Sequence, residues 1–347
     1  MKQKKYTIAT LGSHSALQIL KGAKDEGFKT LLVTLPNRIS FYKRFSFIDE
    51  IVSIPTFADF PSLEKKLKRS TKGGSTFGRK NIVIIPHGSF VAYLGIEGNK
   101  KITLPYFGNK KVLDWEADRL KQRQWLEKAK INVPKEFNDI NRINYPVIVK
   151  SYGAAGGKGY FYAKSKKDFK NKIKTFKDNR FIIQEYVIGV SLYIHYFYSP
   201  LTDTIEILSM DRRYETNVDS LGRIPLVHQK NLDIEPSYVV VGNSSLTLRE
   251  SLLPEAYKMG EQVVAESKKL IDKDGLYGPF CLETVITPDQ KIFVIEISCR
   301  IVAGTNLFIN GSPYAWLSYD EPMSMGRRIA REIKLAIKKR KLYEILD

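Results

Sequence analysis

Cysteine, long apolar runs and acidic residues are all scarce in this chain of 347 residues. The two cysteines, Cys281 and Cys299, stand in apolar stretches, so we expect buried free thiols in a reducing compartment. No run approaches the roughly 18 apolar residues that a membrane span requires. The first apolar stretch breaks at 12–14, before the core of a signal peptide could form. We therefore expect a cytoplasmic protein with no membrane segment.

The amino-acid composition also shows no strong bias toward apolar or charged residues. Hydrophobic residues make up 43% of the chain and charged residues 27%, and these ordinary values exclude a disordered chain, a collagen and a coiled coil. The length suggests two or three domains. The sequence contains no internal repeat, no nucleophile elbow and no Ser/His/Asp triad, so nothing indicates catalysis by a covalent protein nucleophile.

Basic residues dominate the charge balance. The 56 Lys and Arg against 37 Asp and Glu give a net charge of +19. Such a chain attracts nucleic acid, anionic membranes or phosphorylated small molecules. The cations are spread along the whole sequence, and their densest stretch, 327–342, places apolar residues at helical spacing. We interpret this stretch as a terminal helix with a solvated basic side; contact with RNA or a membrane surface is the alternative.

The first part of the chain alternates between short apolar runs and amphipathic stretches. A helix is predicted at 15–26, and Gly27 would end it as a C-terminal cap. Another helix is predicted at 114–129. Continuous apolar strands are typical of a parallel sheet covered by helices, which predicts an α/β front domain. Such strands are expected at 6–11, 29–34 and 81–86.

From residue 145 the pattern changes to antiparallel strands and hairpins. A helix predicted at 254–271 interrupts them, and strands at 280–286 and 291–297 close the sheet. This second part is therefore expected to be an α+β region.

A glycine-rich segment between two predicted strands is the first candidate for a ligand site. Glycines let backbone N–H groups approach an anion, and Lys158 within the segment adds a point charge. Gly159 follows that lysine where a Walker A loop needs Ser or Thr. Lys150 at the preceding strand end favours a flexible cover over nucleotide phosphates; a long glycine hairpin is the alternative. The glycines are Gly153, Gly156, Gly157 and Gly159.

Two carboxylates in the last predicted strands form the second candidate site. A four-residue loop at 288–291 would place Glu283 directly opposite Glu296. Like charges that face each other on a sheet are unfavourable unless something neutralises them. Carboxylates completed by phosphate oxygens are ligands that Mg²⁺ prefers, so we favour a metal site over a solvent-facing pair. The register depends on the loop length, since a slip of one residue would undo the pairing.

Weaker signals come from polar residues after apolar strands. Residues 184–187 could offer backbone groups to an adenine at a strand-to-loop junction. His14 and Ser89 each follow a strand of the front domain, where open α/β sheets bind ligands and helix N-termini favour phosphate. His87 is an alternative to Ser89 in the second of these positions. Neither histidine has a Cys or His neighbour at metal-ligand spacing.

Taken together, these features resemble the ATP-grasp superfamily and, within it, the archaeal 5-formaminoimidazole-4-carboxamide ribonucleotide synthetases. The resemblance extends from residue 8 to residue 314. It is most specific in HYFYS and in EISCRIVAGTNLFINGSPY. Further matching stretches are IATLGSHSALQILKGAKDEGF, IPHGSF, QEYVIGVSLYIHYFYS, MDRRYETN, VVVGN, LRESLLPEAY and GPFCLE.

The resemblance implies a fold of mixed α/β and α+β type with three parts. A Rossmann-like domain that precedes the ATP-grasp region is expected at 1–125. A small ATP-grasp lobe with the glycine-rich loop is expected at 126–210. A large lobe with the metal site and the terminal helix is expected at 211–347.

The resemblance also implies the ligands of individual positions. It implies ribonucleotide contacts at His14, Ser89 and Asn243, and Mg²⁺ (or Mn²⁺) ligands at Glu283 and Glu296. Many ATP-grasp enzymes carry Glu-x-Asn on the last strand, but here Ser298 replaces the Asn, which implies fewer protein ligands. Arg300 is our hypothesis for the group that neutralises the transferred phosphate. ATP contacts are implied at Lys150, Gly156, Gly157, Lys158, Glu185, Tyr186, Val187 and Glu215.

The function implied is ATP- and formate-dependent formylation of 5-aminoimidazole-4-carboxamide ribonucleotide through formyl phosphate, in purine biosynthesis. The resemblance further implies a homo-oligomer, a trimer or hexamer, with small-molecule substrates and no membrane or nucleic-acid partner. One alternative is a paralogous ATP-grasp ligase that joins another acid to another amine. A second is an RNA-binding or regulatory protein with an inactive ATP lobe, whose binding would weaken steeply with salt.

Overall fold

The computed structural model describes residues 6–69, 81–144, 146–151, 159–176, 180–215, 221–229 and 239–347. The strands lie at Thr7–Leu11 (β1), Lys29–Thr34 (β2), Glu50–Ser53 (β3), Ile82–Ile84 (β4), Val147–Ser151 (β5), Tyr160–Ala163 (β6), Phe181–Glu185 (β7), Val190–Ser199 (β8), Thr204–Glu215 (β9), Val240–Ser245 (β10), Gly278–Ile286 (β11) and Ile292–Ser298 (β12). The helices lie at Ala16–Asp25 (α1), Ile39–Tyr42 (α2), Phe60–Arg69 (α3), Gly88–Lys100 (α4), Val112–Glu116 (α5), Arg119–Lys128 (α6), Lys166–Lys172 (α7), Leu226–Gln229 (α8), Leu253–Leu270 (α9), Pro313–Ser318 (α10) and Met325–Lys339 (α11). Within these ranges, no helix is both long enough and apolar enough to cross a membrane.

The front of the chain forms a four-stranded parallel sheet in the order β3-β2-β1-β4. The predicted strands are present, and β1 is buried along its whole length, as expected for a strand covered on both faces. Gly27 adopts a φ of 88°, which confirms the predicted end of α1 because glycine tolerates this left-handed conformation. Strand β3 was not predicted. It has four residues at the sheet edge, and its sequence EIVS is only partly buried, so its apolar signal is weak.

The helix predicted at 114–129 is divided into α5 and α6. Asp118 separates them with an extended backbone conformation, and its carboxylate accepts hydrogen bonds from the amides of Leu120 and Lys121. This side chain therefore caps a new helix instead of continuing the old one. The cap also places Arg119 in the first turn of α6.

The rest of the chain builds two antiparallel sheets. Strands β5, β6 and β7 form a three-stranded sheet in the order β6-β5-β7, and α7 follows β6. Strands β8 to β12 form a five-stranded sheet in the order β10-β9-β8-β11-β12. Residues 210 and 211, where we expected the small lobe to end and the large lobe to begin, both lie within β9.

One apolar core joins the front sheet to the five-stranded sheet. It includes Ile8 of β1, Trp125 of α6 and Tyr196 of β8, all fully buried. Trp125 Nε1 donates a hydrogen bond to the carbonyl of Val263 in α9 at 2.9 Å. The three-stranded sheet has a separate core around Phe169. This sheet is also joined to the segment before it, because the amide of Phe137 donates to the carbonyl of Ile183 at 2.9 Å.

The terminal helix is present as α11, but its basic side is not simply solvated. Arg327, Arg331 and Lys334 contact the carboxylate of Glu26 at 2.9, 2.5 and 3.1 Å. Arg328, on the same helix, binds Glu206 and Glu332, each at 2.8 Å. The interpretation as a helix is confirmed, while the expected solvation of these arginines is wrong, because tertiary packing brings acidic residues to them. The basic side of α11 therefore holds the helix to the front domain and to β9.

We expect Glu26→Ala to lower the free energy of unfolding by about 2–4 kcal/mol, because it leaves cations of α11 without a buried carboxylate. Asp25→Ala is the matched control. It breaks only the exposed Lys21 pair and should cost about 1 kcal/mol or less. Both are measured by urea unfolding at pH 7.

The same comparison has a defined pH dependence. Although burial opposes ionisation, hydrogen bonds from Arg331, Arg327 and Lys334 lower the pKa of Glu26 below its ordinary 4.5. The stabilisation is therefore complete above pH 4.5 and is lost as the pH falls through the lowered pKa. An equal effect of Glu26→Ala and Asp25→Ala at pH 7 would contradict this account.

Candidate functional site

A cavity of about 660 Å³ lies between the three-stranded and five-stranded sheets. It collects most of the residues expected at the ATP and metal sites. Lys158, Gly156 and Gly157 lie outside the described residues, and Gly159 stands at the cavity wall. The expected residues that line the cavity are Lys150, Glu185, Tyr186, Val187, Glu215, Glu283 and Glu296.

Glu283 of β11 and Glu296 of β12 face each other, as predicted. The predicted loop, however, is one residue too short. Ile286 pairs with Ile292, so the connection runs over five residues, 287–291, and a regular ladder from there would place Ile295 opposite Glu283. A β-bulge between Glu283 and Thr284 shifts the register by one residue and restores the carboxylate pair. The predicted pairing is therefore confirmed, but by a different geometry.

Arg213 of β9 neutralises one of the two carboxylates. Its guanidinium donates two hydrogen bonds to Glu283, at 2.8 and 3.1 Å, in the bidentate arrangement typical of strong Arg–carboxylate pairs. It also lies over the ring of Tyr193, 3.7 Å from the centroid. This role of Arg213 was not predicted, although the residue stands in the matched stretch MDRRYETN.

Burial and repulsion act together on Glu296, the other member of the pair. Its burial and then the negative charge of Glu283 raise the pKa of Glu296 from 4.5 to about 7. The described residues contain no cluster of three or more His, Cys, Asp or Glu side chains that could hold a metal ion. A hard cation bound by Glu283 and Glu296 would therefore complete its shell with oxygens of phosphate or water. The donor set fits Mg²⁺ on that condition.

Two further cations extend the site toward the three-stranded sheet. Lys150 Nζ donates to Gln184 Oε1 at 3.0 Å, and burial and the positive charge of Arg119 lower the pKa of Lys150 to about 8. Arg119 lines the same cavity, and its Nε is buried without an acceptor within the described ranges. Arg119 was not predicted as a site residue from the sequence. A cation in the first turn of a helix opposes the macrodipole, and that unfavourable placement was the available signal.

The expected adenine-binding segment lies at the cavity edge, after β7. The amide of Glu185 donates to the carbonyl of Lys135 at 2.8 Å, and that of Tyr186 donates to the carbonyl of Pro146 at 3.1 Å. These two N–H groups are occupied by protein carbonyls. Val187 is the next residue whose backbone can meet a base.

His14 and Ser89 meet at the ends of β1 and β4, as the strand-end argument predicts. The rings of His14 and His87 are stacked with centroids 5.4 Å apart. His87 is fully buried; its Nδ1 accepts from the amide of Ser89, so its Nε2 carries the proton and donates to the carbonyl of Leu11 at 2.9 Å. His87 therefore orders the loop, and His14 is the exposed ring.

The imidazole of His14 is neutral at neutral pH. Desolvation by the surrounding protein and the charges of Arg300 and Arg213 lower the pKa of His14 to about 4. Its backbone φ is 53°, and its carbonyl accepts a hydrogen bond from the side-chain amide of Asn306 at 3.0 Å. The ring can therefore exchange hydrogen bonds with a substrate at neutral pH without carrying a charge.

Arg300 lies between the carboxylate pair and the front domain. Its guanidinium contacts Glu116 at 3.0 Å, and its Nε is buried without an acceptor within the described ranges. The neighbouring Ile301 pairs with His87 through an isolated parallel bridge, which brings the end of β12 against the strand ends of the front sheet. The position suits a group that bridges two ligand sites. Asn243, the third expected ribonucleotide contact, lies on β10 and donates to Asp211 at 2.6 Å.

Two family models and several curated proteins match this chain. A domain of unknown function (DUF1297) matches residues 160–347, and a protein of unknown function (DUF1246) matches residues 8–137. The 5-formaminoimidazole-4-carboxamide-1-(beta)-D-ribofuranosyl 5'-monophosphate synthetase of Pyrococcus horikoshii is 53% identical, and the match covers 98% of this chain and 99% of that protein. The protein of the same name from Saccharolobus solfataricus is 49% identical with the same coverage.

Solved structures show the same relationship. An IMP biosynthesis protein, PurP, from Thermococcus kodakaraensis has a TM-score of 0.74 at 31% identity, and the match covers 98% of this chain and 100% of that one. An N5-carboxyaminoimidazole ribonucleotide synthetase, solved as an ADP complex, has a TM-score of 0.63 at 14% identity, with 96% and 78% coverage. The second similarity concerns the fold alone.

In metal-free buffer without nucleotide, Glu296→Gln should stabilise the protein above pH 7. A carboxyl whose pKa rises on folding binds more protons in the folded state, so wild-type stability falls as the pH rises from about 4.5 to about 7. Because glutamine does not ionise, the free energy of unfolding of the variant should exceed that of wild type by about 2 kcal/mol at pH 8. The gain should vanish near pH 4.5 in thermal unfolding curves.

Glu283→Gln is the matched control, with the same chemical change one strand away. It breaks the bidentate pair with Arg213 and should therefore destabilise the protein at pH 8, by about 2 kcal/mol. If both variants changed the free energy of unfolding in the same direction, the pKa of Glu296 would not be the one that the pair raises.

Proposed function

The chain belongs to the 5-formaminoimidazole-4-carboxamide ribonucleotide synthetases, with the ATP-grasp fold, and from that premise we propose how its residues divide the reaction. It is an ATP-dependent ligase of IMP biosynthesis that forms the 5-formamido ribonucleotide from the 5-amino ribonucleotide. The observation that carries the residue assignment is the carboxylate pair Glu283–Glu296, which shares one cavity with Lys150 and Arg119.

The reaction proceeds in two transfers. Formate is a poor acyl donor, so a formate oxygen takes the γ-phosphoryl group of ATP and gives formyl phosphate and ADP. The 5-amino nitrogen then attacks the formyl carbon, the carbon–oxygen bond to phosphate breaks, and phosphate leaves as the amine loses a proton. Neither transfer requires a covalent protein nucleophile. Catalysis rests on positioning and on neutralisation of negative charge.

ATP occupies the cavity between the two antiparallel sheets. The base lies at Glu185, Tyr186 and Val187, with Val187 supplying the backbone contact that the other two amides cannot. Lys150 and Arg119, whose Nε has no acceptor in the part of the chain that the structure describes, face the phosphates, and Glu215 lies on the wall of the same cavity. Lys158, Gly156 and Gly157 lie outside the described residues, and their assignment to the phosphates rests on the family resemblance.

Glu283 and Glu296 hold Mg²⁺, and Mn²⁺ as a substitute. The ion, when bound, neutralises phosphate charge during transfer. Occupation by a cation relieves the repulsion between the two carboxylates. Arg213 meanwhile keeps Glu283 oriented toward its partner. A shell with two protein carboxylates supports a single ion more readily than two.

The ribonucleotide occupies the strand ends of the front sheet. His14, Ser89 and Asn243 contact it, with His14 as a neutral hydrogen-bonding partner. Arg300 lies between this site and the carboxylate pair, where it neutralises the phosphate of the mixed anhydride. The high positive charge of the chain favours the approach of these multiply anionic substrates.

The assembly is a symmetric homo-oligomer in the cytoplasm, a trimer or a hexamer. Support comes from exposed apolar residues on α10, where Trp316 is 51% and Leu317 is 82% accessible. Light scattering of the purified chain measures the state directly.

The function is tested by an assay with purified protein, ATP, Mg²⁺, formate and 5-aminoimidazole-4-carboxamide ribonucleotide, without folate. Phosphate and formylated product should appear together in equal amounts. Both should disappear when any one of the four small molecules is omitted. ATP binding without product, under conditions in which the protein is folded, would favour a ligase with another acid or amine.

His14→Ala should raise KM for the ribonucleotide by about tenfold or more through the loss of a substrate hydrogen bond, and should leave KM for ATP within about twofold. His228→Ala, at an exposed histidine of α8, is the control and should change neither value. A parallel loss of ATP and ribonucleotide binding in His14→Ala would count against the assignment of the front-domain site.

A further inference from the structure

A buried histidine–aspartate pair lies beside the cleft and has no part in the reaction as described above. His195 is on β8 and Asp211 is on β9, and both are completely buried. Nε2 of the imidazole and Oδ1 of the carboxylate are 2.6 Å apart. Buried charges of this kind are costly unless every polar atom is engaged, so the pair calls for an explanation.

The protonation of the pair follows from its contacts. Nδ1 of His195 is buried without a partner within the described ranges, so a proton there would have no acceptor. The ring proton therefore resides on Nε2 and is donated to Asp211. The carboxylate acts only as an acceptor.

The second oxygen of Asp211 acts on Asn243. Nδ2 of Asn243 donates to Oδ2 of Asp211 at 2.6 Å. Because an ionised carboxylate has no proton to give, the amide group of Asn243 must turn its nitrogen toward Asp211. Its Oδ1 is thereby directed away from Asp211. Asn243 is only half-buried, whereas Asp211 is inaccessible, so of these two side chains only Asn243 can be reached from solvent.

Packing prevents Asp211 from moving away from this arrangement. Gly304, four residues after Arg300, lies so close that a Cβ built there would stand 2.2 Å from Asp211 Oδ1. Any side chain at 304 would displace the carboxylate. Within the sheet, Asp211 is paired with Tyr193 of β8 on one flank and with Ser245 of β10 on the other.

We propose that His195 and Asp211 are positioning residues that set the amide of Asn243, so that its Oδ1 accepts a hydrogen bond from an N–H group of the acceptor ribonucleotide. This inference rests on the proposed function, in which Asn243 contacts that substrate. It specifies the polarity of the contact: the protein accepts and the substrate donates. An amine or carboxamide N–H of the substrate fits this polarity, because it can donate to the Oδ1 that Asp211 leaves facing away.

Asp211→Asn tests the polarity with almost no change in size. The new amide can accept from only one of its two partners. If it turned its NH₂ toward His195, that ring would have to protonate its buried and unpartnered Nδ1. Asn243, being half-buried, can instead rotate its amide at lower cost and present NH₂ to the substrate. We expect KM for the ribonucleotide to rise about tenfold or more, with KM for ATP within about twofold.

The double variant Asp211→Asn with Asn243→Asp restores the polarity. The amide introduced on β9 then donates to the carboxylate introduced on β10, and the second oxygen of that carboxylate again accepts from the substrate. At about pH 9, KM of the double variant for the ribonucleotide should return to within about threefold of wild type, although each single change raises it at that pH. A merely structural role for Asp211 would lower the melting temperature without this selective rescue.

Asn243→Asp alone gives a second test that does not depend on altering the buried pair. The carboxylate of Asp211 raises the pKa of a carboxyl at 243, and the protonated form mimics the amide by donating to Asp211. KM for the ribonucleotide should therefore rise by about tenfold between about pH 7 and about pH 9 in this variant and stay flat in wild type. A flat profile in the variant would overturn the inference.

Two controls separate the inference from the proposed function. Asp25→Asn, a change in a solvent-accessible ion pair outside the site, should leave both KM values unchanged. Asn243→Ala removes the contact entirely. If Asn243→Ala leaves KM for the ribonucleotide unchanged, the substrate assignment of Asn243 is wrong. If Asn243→Ala raises it and Asp211→Asn does not, the positioning inference alone is wrong.

Discussion

The repulsion between Glu283 and Glu296 is the interaction around which the cleft is organised. The ladder between β11 and β12 places the two glutamates directly opposite each other in the sheet. Arg213 neutralises the charge of Glu283, and burial raises the pKa of Glu296. Lys150 and Arg119 add positive charge to the same cavity. The charges of this site thus suit a ligand that brings both a cation and phosphate oxygens.

A second buried carboxylate shows the same principle in a structural role. Glu26 at the end of α1 is surrounded by cations of α11, and this contact attaches the end of the chain to the front domain. The net charge of +19 is therefore not a single basic surface. Some of the basic residues form ion pairs within the molecule, and Glu26 alone contacts three cations of α11.

The front sheet and the carboxylate pair were predictable because they depend on local signals. Continuous apolar strands identify β1 and β2, and the hairpin that joins β11 to β12 is short enough for the pairing to follow from the loop. Even here the predicted loop was one residue too short, and a β-bulge compensated for it. Edge strand β3 escaped prediction because it is short and only partly buried. The division between α5 and α6 was not predicted, because the apolar periodicity continues across Asp118, whose side chain caps α6.

Residue patterns along the chain predicted the α/β and α+β elements and the carboxylate pair, because these depend on residue type and on near neighbours, while the resemblance of the matched stretches implied the fold family and the residues expected at the cleft. The partners of each charged group depended on tertiary packing. Arg213 meets Glu283, Arg300 meets Glu116, and Asp211 meets both His195 and Asn243 across separations that no local pattern encodes. Such pairs form where strands from distant parts of the chain become neighbours, and burial then determines which groups are charged. The residue types along the chain determine which chemical groups are present, and tertiary packing determines which of these groups come into contact.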